Sequence, residues 1–132
     1  MSHILVFSDS PKIREFYAGI LKPDYEPFGI GFRVQAVSYT MKYQPHAVII
    51  GCTSDRFESG IDLVRDLGKP YKGRVVFAGD VKKLEKKLKQ FPELQEYFSA
   101  VLQKPVKPED LLDAVNKIAP RPKERRIRNL RI

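Results

Sequence analysis

The segment Pro45-His46-Ala47-Val48-Ile49-Ile50-Gly51 is apolar without interruption at its centre and closes on a glycine. Aliphatic residues in succession, with no polar alternation, describe a strand buried on both faces, and such strands belong to parallel sheets covered by helices on each side. The same kind of run recurs on either side of it. Ile4 to Phe7 and Arg74 to Ala78 are apolar and of strand length, and Ala100 to Gln103 is a shorter example.

Between these runs the apolar period changes to that of a helix. After Ser8-Asp9-Ser10-Pro11, with Ser10 as N-cap and Pro11 in the first turn, Ile13, Phe16, Tyr17, Ile20 and Leu21 fall on one face. Pro23, Pro27, Gly29 and Gly31 break that pattern, and the next strand is expected over about Phe32 to Val37. Ser38 to Gln44 leaves room for one or two helical turns before Pro45. A polar loop from Cys52 to Ser59 leads to Gly60 and a helix with Ile61, Leu63, Val64 and Leu67 inward. Val81, Leu84, Leu88 and Phe91 mark a lysine-rich helix interrupted by Pro92. Leu94, Tyr97 and Phe98 suggest a short turn, and Leu111, Leu112, Val115 and Ile118 mark a last helix that Pro120 ends. Five βα units imply an open doubly wound sheet, whose ligand crevice lies at the carboxyl ends of the first and third strands.

A chain of 132 residues fits one domain, and 42% hydrophobic with 30% charged residues is globular composition. No apolar run approaches the roughly 18 residues of a membrane span, and the N-terminus lacks the features of a secretory signal. A cytoplasmic protein is expected. The single cysteine, Cys52, excludes an internal disulfide framework, and His3 and His46 have no zinc-ligand spacing, so neither metal nor cofactor is expected. The net charge is +8, of which +5 falls in the last twelve residues: Arg121, Lys123, Arg125, Arg126, Arg128 and Arg131 stand against Glu124 alone. The domain is therefore read as residues 1–119 and the basic tail as 120–132. Such a tail favours acidic proteins, nucleic acid or an anionic surface.

Four segments together resemble the receiver domain of bacterial response regulators, the CheY-like superfamily. ILVFSDSPKIREF is similar to the family's first strand, acidic loop and first helix. PHAVIIG is similar to the strand that delivers the phosphoacceptor, and GIDLVRDL to the third helix. LQKPVKPEDLLDAV is similar to the fifth strand, the Lys-Pro pair and the last helix. The match spans Ile4 to Ala119. It implies a flavodoxin-like, doubly wound (βα)5 three-layer sandwich with a five-stranded parallel sheet in the order 2-1-3-4-5.

In the family, two adjacent carboxylates and the acceptor aspartate hold magnesium against the incoming phosphoryl group, while a hydroxyl and a lysine bind its oxygens. Carried over residue by residue, the acidic pair becomes Ser8 and Asp9, and the acceptor falls on Gly51. The hydroxyl falls on Ala78, or on Gly79, and the switching aromatic on Val101; Lys104 with Pro105 stands intact. Without a carboxylate at Gly51 there is no nucleophile for an acyl phosphate. Asp9 has two readings, a vestigial cation ligand or an ion-pair partner of Lys104, and the pair is expected. The resemblance implies a cis bond between Lys104 and Pro105.

Gly51-Cys52-Thr53-Ser54 reads as a tight turn after a buried strand, with an anion cradle as the alternative. No catalytic constellation is present: Cys52 lacks an arginine six residues on, where Glu58 stands, and His46 begins the strand that Cys52 follows. The chain is thus read as a degenerate receiver in two-component signalling that is no enzyme and binds a protein, such as a signalling component or one related to histidine kinases. The family's usual partner surface is the fourth helix, fifth strand and fifth helix, which carries Lys82, Lys83, Lys86, Lys87, Tyr97 and Val101 here. Arg125, Arg126 and Arg128 of the tail add to it. The short second helix leaves the edge beside the second strand accessible, with Tyr39 and Tyr43 as further exposed anchors. The alternatives are a nucleic-acid-associated module using the tail and the lysine-rich helix, or a small-anion sensor using the crevice at Asp9 and Gly51.

Overall fold

A computed structural model describes residues 2–119; the basic tail lies outside the described residues. Its strands are β1 (His3–Phe7), β2 (Glu26–Ile30), β3 (Ala47–Ile50), β4 (Val75–Gly79) and β5 (Phe98–Gln103). The helices are α1 (Pro11–Leu21), α2 (Arg33–Tyr43), α3 (Phe57–Leu67), α4 (Val81–Gln90) and α5 (Pro108–Asn116). All strand pairs are parallel and the order is β2-β1-β3-β4-β5, as expected.

The three central strands are buried on both faces, which accounts for their unbroken apolar runs. Alternate residues feed two cores. Leu5, Phe7, Val48, Ile50, Val75 and Phe77 pack towards α2, α3 and α4. Ile4, Val6, Ala47, Ile49, Val76 and Ala78 pack towards α1 and α5. Helix starts follow local chemistry. Ser10 accepts the Ile13 N–H at 3.3 Å ahead of Pro11, and Asp80 accepts the Lys83 N–H at 3.2 Å. Helix α3 begins at Phe57, earlier than Gly60, because the Phe57 ring is buried edge-on against Phe77. Gly60 lies inside that helix, where a Cβ would meet Ile50 Cγ2 at 2.6 Å, so the glycine lets α3 lie close on β3.

The second βα unit differs from expectation. The strand is Glu26–Ile30, and Phe32 to Val37 belongs mostly to an eleven-residue helix, α2, so the second helix is not short. Pro27 is tolerated because β2 is an edge strand, where a missing N–H can face away from the ladder. Gly29 and Gly31 do not break structure there; they make room for Arg14. Its Nη1 donates to the Ser8 carbonyl at 2.7 Å, and Cβ atoms on the two glycines would lie 3.1 Å from Arg14 Cβ and 2.6 Å from Nη1. In α2 the buried residues Ala36, Tyr39 and Thr40 follow helical spacing, whereas Phe32 and Val34 are exposed. Tyr39 is therefore core rather than a surface anchor. Phe16 of α1 is likewise exposed, although it shares the helical pattern of its buried neighbours.

Helix and strand give opposite expectations for two neighbouring positions. On a strand, positions 34 and 36 would share a face; on α2 only Ala36 is buried. Val34→Asp should therefore change urea stability by less than about 0.5 kcal/mol, while Ala36→Asp should cost more than about 3 kcal/mol. Equal effects at the two sites would restore the strand assignment.

Candidate functional site

The crevice lies where β1 and β3 end, and its residues are held by the backbone around them. Ser8 is fully buried. Its N–H donates to Ile30 O at 3.2 Å, its hydroxyl accepts the Ser10 N–H at 3.1 Å, and its carbonyl takes the Arg14 guanidinium. Ser8 thus joins β1, β2 and α1. Next to it, Asp9 points across to the loop after β3. One carboxylate oxygen accepts the Thr53 N–H at 2.8 Å and the other the Thr53 hydroxyl at 2.7 Å. Burial acts to raise the Asp9 pKa, but these hydrogen bonds, with help from its own N–H and the nearby Arg56 charge, outweigh it and hold the carboxyl below its usual range.

Gly51 continues the ladder of β3, donating its N–H to Phe7 O at 2.8 Å. Its side-chain direction is already filled by α1. A Cβ there would lie 2.8 Å from Tyr17 Cε2 and 3.3 Å from Ile13 Cγ2. Cys52 follows, buried; burial first and the Asp9 charge second push its thiol up to about 11, so it is protonated at neutral pH. Its carbonyl accepts Lys104 Nζ at 3.3 Å. On the far side Lys83 Nζ donates to the Ser54 carbonyl at 2.8 Å and lies 5.5 Å from the centre of the Phe57 ring. Ala78 is fully buried, and the Gly79 carbonyl accepts the Lys104 N–H at 3.2 Å. The Lys104–Pro105 bond is cis, in agreement with expectation.

Ser8, Asp9, Gly51 and Lys104 are thus brought around one loop, but the expected Asp9–Lys104 ion pair does not form. The carboxylate takes Thr53 and the ammonium takes the carbonyl one residue before it. The roles of Thr53 as the partner of Asp9, Tyr17 over Gly51 and Arg14 at the Ser8 carbonyl do not follow from the sequence. Asp9 and Thr53 are 44 positions apart, and neither Tyr17 nor Arg14 differs in sequence from an ordinary helix residue. A divalent cation does not fit this donor set. Among the described residues no three His, Cys, Asp or Glu side chains cluster as metal ligands, and both Asp9 oxygens are engaged.

Two of the lysines of α4 are held by the rest of the fold. Lys87 pairs with Glu58 at 2.7 Å and Lys83 holds the loop, whereas Lys82 and Lys86 are exposed and have no carboxylate within salt-bridge distance among the described residues. Val101 is exposed and Tyr97 half-buried. Arg125, Arg126 and Arg128 lie outside the described residues.

Similar architecture is found in the chemotaxis response regulator CheY4 of Vibrio cholerae. The two share 21% identity, with a TM-score of 0.71 over 90% of this chain and 99% of that one. The chain has the fold of a response-regulator receiver domain. A sensor protein from Polaromonas sp. JS666 matches at 19% identity and a TM-score of 0.73, over 89% of this chain and 94% of that one. The Francisella response regulator 1452 receiver domain matches at 19% identity and 0.71, over 89% and 96%. No family model and no curated protein matches. Among the described residues no helix of this receiver fold is long and apolar enough to cross a membrane.

The depressed pKa of Asp9 fixes the sign of a pH effect. Its contribution is present above the ordinary carboxylate value of about 3.9 and is lost as pH falls through the lower folded value. Asp9→Asn should cost about 1–3 kcal/mol in urea unfolding at pH 7, and the gap from the parent should narrow below about pH 4. A gap that stays constant with pH would mean that the carboxylate charge contributes nothing.

Proposed function

We propose that this chain is a phosphorylation-independent receiver-like module of two-component signalling, one that works by binding a protein partner rather than by catalysis. The observation that carries the reading is the packing at Gly51. The Tyr17 ring and Ile13 occupy the space into which a side chain at the acceptor position would project. Two features support it: each Asp9 oxygen already accepts a hydrogen bond from Thr53, and Ala78 and Gly79 offer no hydroxyl beside Lys104. What remains of the phosphoryl chemistry is a lysine that fastens a loop.

The binding surface proposed is the face of α4, β5 and α5, on residues 1–119, together with the basic tail. Val101 is 40% exposed there, and the charges of Lys82 and Lys86, which have no carboxylate within salt-bridge distance among the described residues, favour an acidic partner. A signalling protein suits this surface, as the chemotaxis role printed for the Vibrio cholerae structure suggests.

Intact mass spectrometry after incubation with acetyl phosphate and magnesium tests the reading. The parent chain should show no phosphoryl adduct. Gly51→Asp should show none either and should lose about 1–3 kcal/mol of stability, because the new side chain meets the Tyr17 ring. A stable adduct on the parent would overturn the proposal.

A further inference from the structure

At the open edge of the sheet, where β1 and β2 begin, a groove of about 550 Å³ runs between the end of α1 and the end of α2. Its wall on the α2 side is an aromatic series. Phe28 stacks on Tyr39 with ring centres 4.8 Å apart, Tyr39 meets Tyr43 at 4.8 Å, and Tyr43 meets His3 at 6.1 Å. Phe28 is 52% and Tyr43 46% exposed, so both keep open ring surface. On the other side Tyr25 is buried, with its hydroxyl bonded to Asn116 Oδ1 and to the Ala119 carbonyl, which fixes that wall to the end of α5. A preformed space of this size, mostly aromatic with a few polar groups, has the character of a small-molecule site.

The backbone of β2 argues against a peptide strand as occupant. Glu26 donates its N–H to Ser2 O, and Ile30 O accepts the Ser8 N–H, so both residues turn their backbone towards β1. Pro27 and Gly29, which alternate with them, face outward, and Pro27 has no N–H to offer an added strand. Charge then selects the kind of molecule. Lys22 lines the groove, and Lys42 Nζ lies 5.2 Å from the centre of the Tyr43 ring. Against these two ammonium groups stands the Glu26 carboxylate, which is 3.4 Å from His3 Nε2. Aromatic walls attract cations, but here Lys42 already takes the Tyr43 ring and, with Lys22, repels a second cation. A wholly apolar ligand would strip water from Lys22 without replacing it.

We propose that this groove binds a small planar aromatic carboxylate. Its ring continues the aromatic series on the open surface of Phe28 and Tyr43, and its carboxylate faces Lys22. Stacking and burial supply most of the affinity, while the lysine sets the orientation and rejects neutral and cationic analogues. The groove lies at the opposite end of the strands from the Asp9 crevice, so the inference does not rest on the reading of Gly51.

The test titrates the full-length, isotope-labelled chain with indole-3-acetate as the aromatic carboxylate and indole-3-acetamide as its neutral counterpart, read by amide chemical shifts. Indole-3-acetate should give saturable shifts at residues 25–28 and 39–43, with a Kd of about 1 mM or tighter. The amide should bind at least about tenfold more weakly, and Lys22→Gln and Phe28→Ala should each weaken the acid by about tenfold. Both substitutions are at exposed positions, and an otherwise unchanged spectrum shows each variant folded. The comparison of acid with amide needs no variant. Shifts that fail to saturate by about 10 mM, equal affinity for acid and amide, or affinity unaltered in both variants overturns the proposal. So do saturable shifts confined to the lysines of α4 and Lys104, which would place the anion in the crevice instead.

Discussion

The loop from Gly51 to Ser54 is gripped from three directions by charged side chains. Asp9 takes the N–H and hydroxyl of Thr53, Lys104 takes the carbonyl of Cys52, and Lys83 takes the carbonyl of Ser54. Each charge comes from a different connection of the sheet, after β1, after β5 and at the start of α4. The loop is therefore where the strand ends are tied to one another, and its order depends on charge-assisted hydrogen bonds to backbone groups rather than on ion pairs. Opposite charges stand on either side of the loop without meeting, because the peptide groups between them satisfy both.

That arrangement explains why Asp9 and Lys104, expected to pair, instead each bind the loop between them. Asp9 and Lys104 are legible because each directly follows a strand that is itself legible. Their partners are not, since Thr53 and the Cys52 carbonyl are brought to them only by the tertiary fold. The same limit applies to Tyr17, whose neighbour Phe16 is equally aromatic yet exposed.

The strands divide along similar lines. β1, β3 and β4 are buried on both faces, and burial of that kind writes a continuous apolar run. β2 is half-exposed and carries Pro27 and Gly29, so it leaves no such run. The segment after it, Phe32-Arg-Val-Gln-Ala-Val37, alternates like a strand because the exposed Phe32 and Val34 happen to precede the buried Ala36. Apolar residues that remain on the surface are what misled the period there. Phe28 stacks on Tyr39, and Tyr39 meets Tyr43, so this edge of the sheet has a chemical character quite unlike the lysine-rich α4.

The contact between Gly51 and Tyr17 has a consequence for how this crevice can change over time. A carboxylate at 51 meets the tyrosine ring unless position 17 has already become smaller. A smaller residue at 17 leaves a cavity beside buried β3, with nothing gained while 51 is still glycine. Each single step is costly and only the pair is compatible, so the two positions are strongly non-additive. Packing of this sort acts as a ratchet: while the ring lies over the glycine, no single substitution gives a downhill path to a carboxylate at position 51.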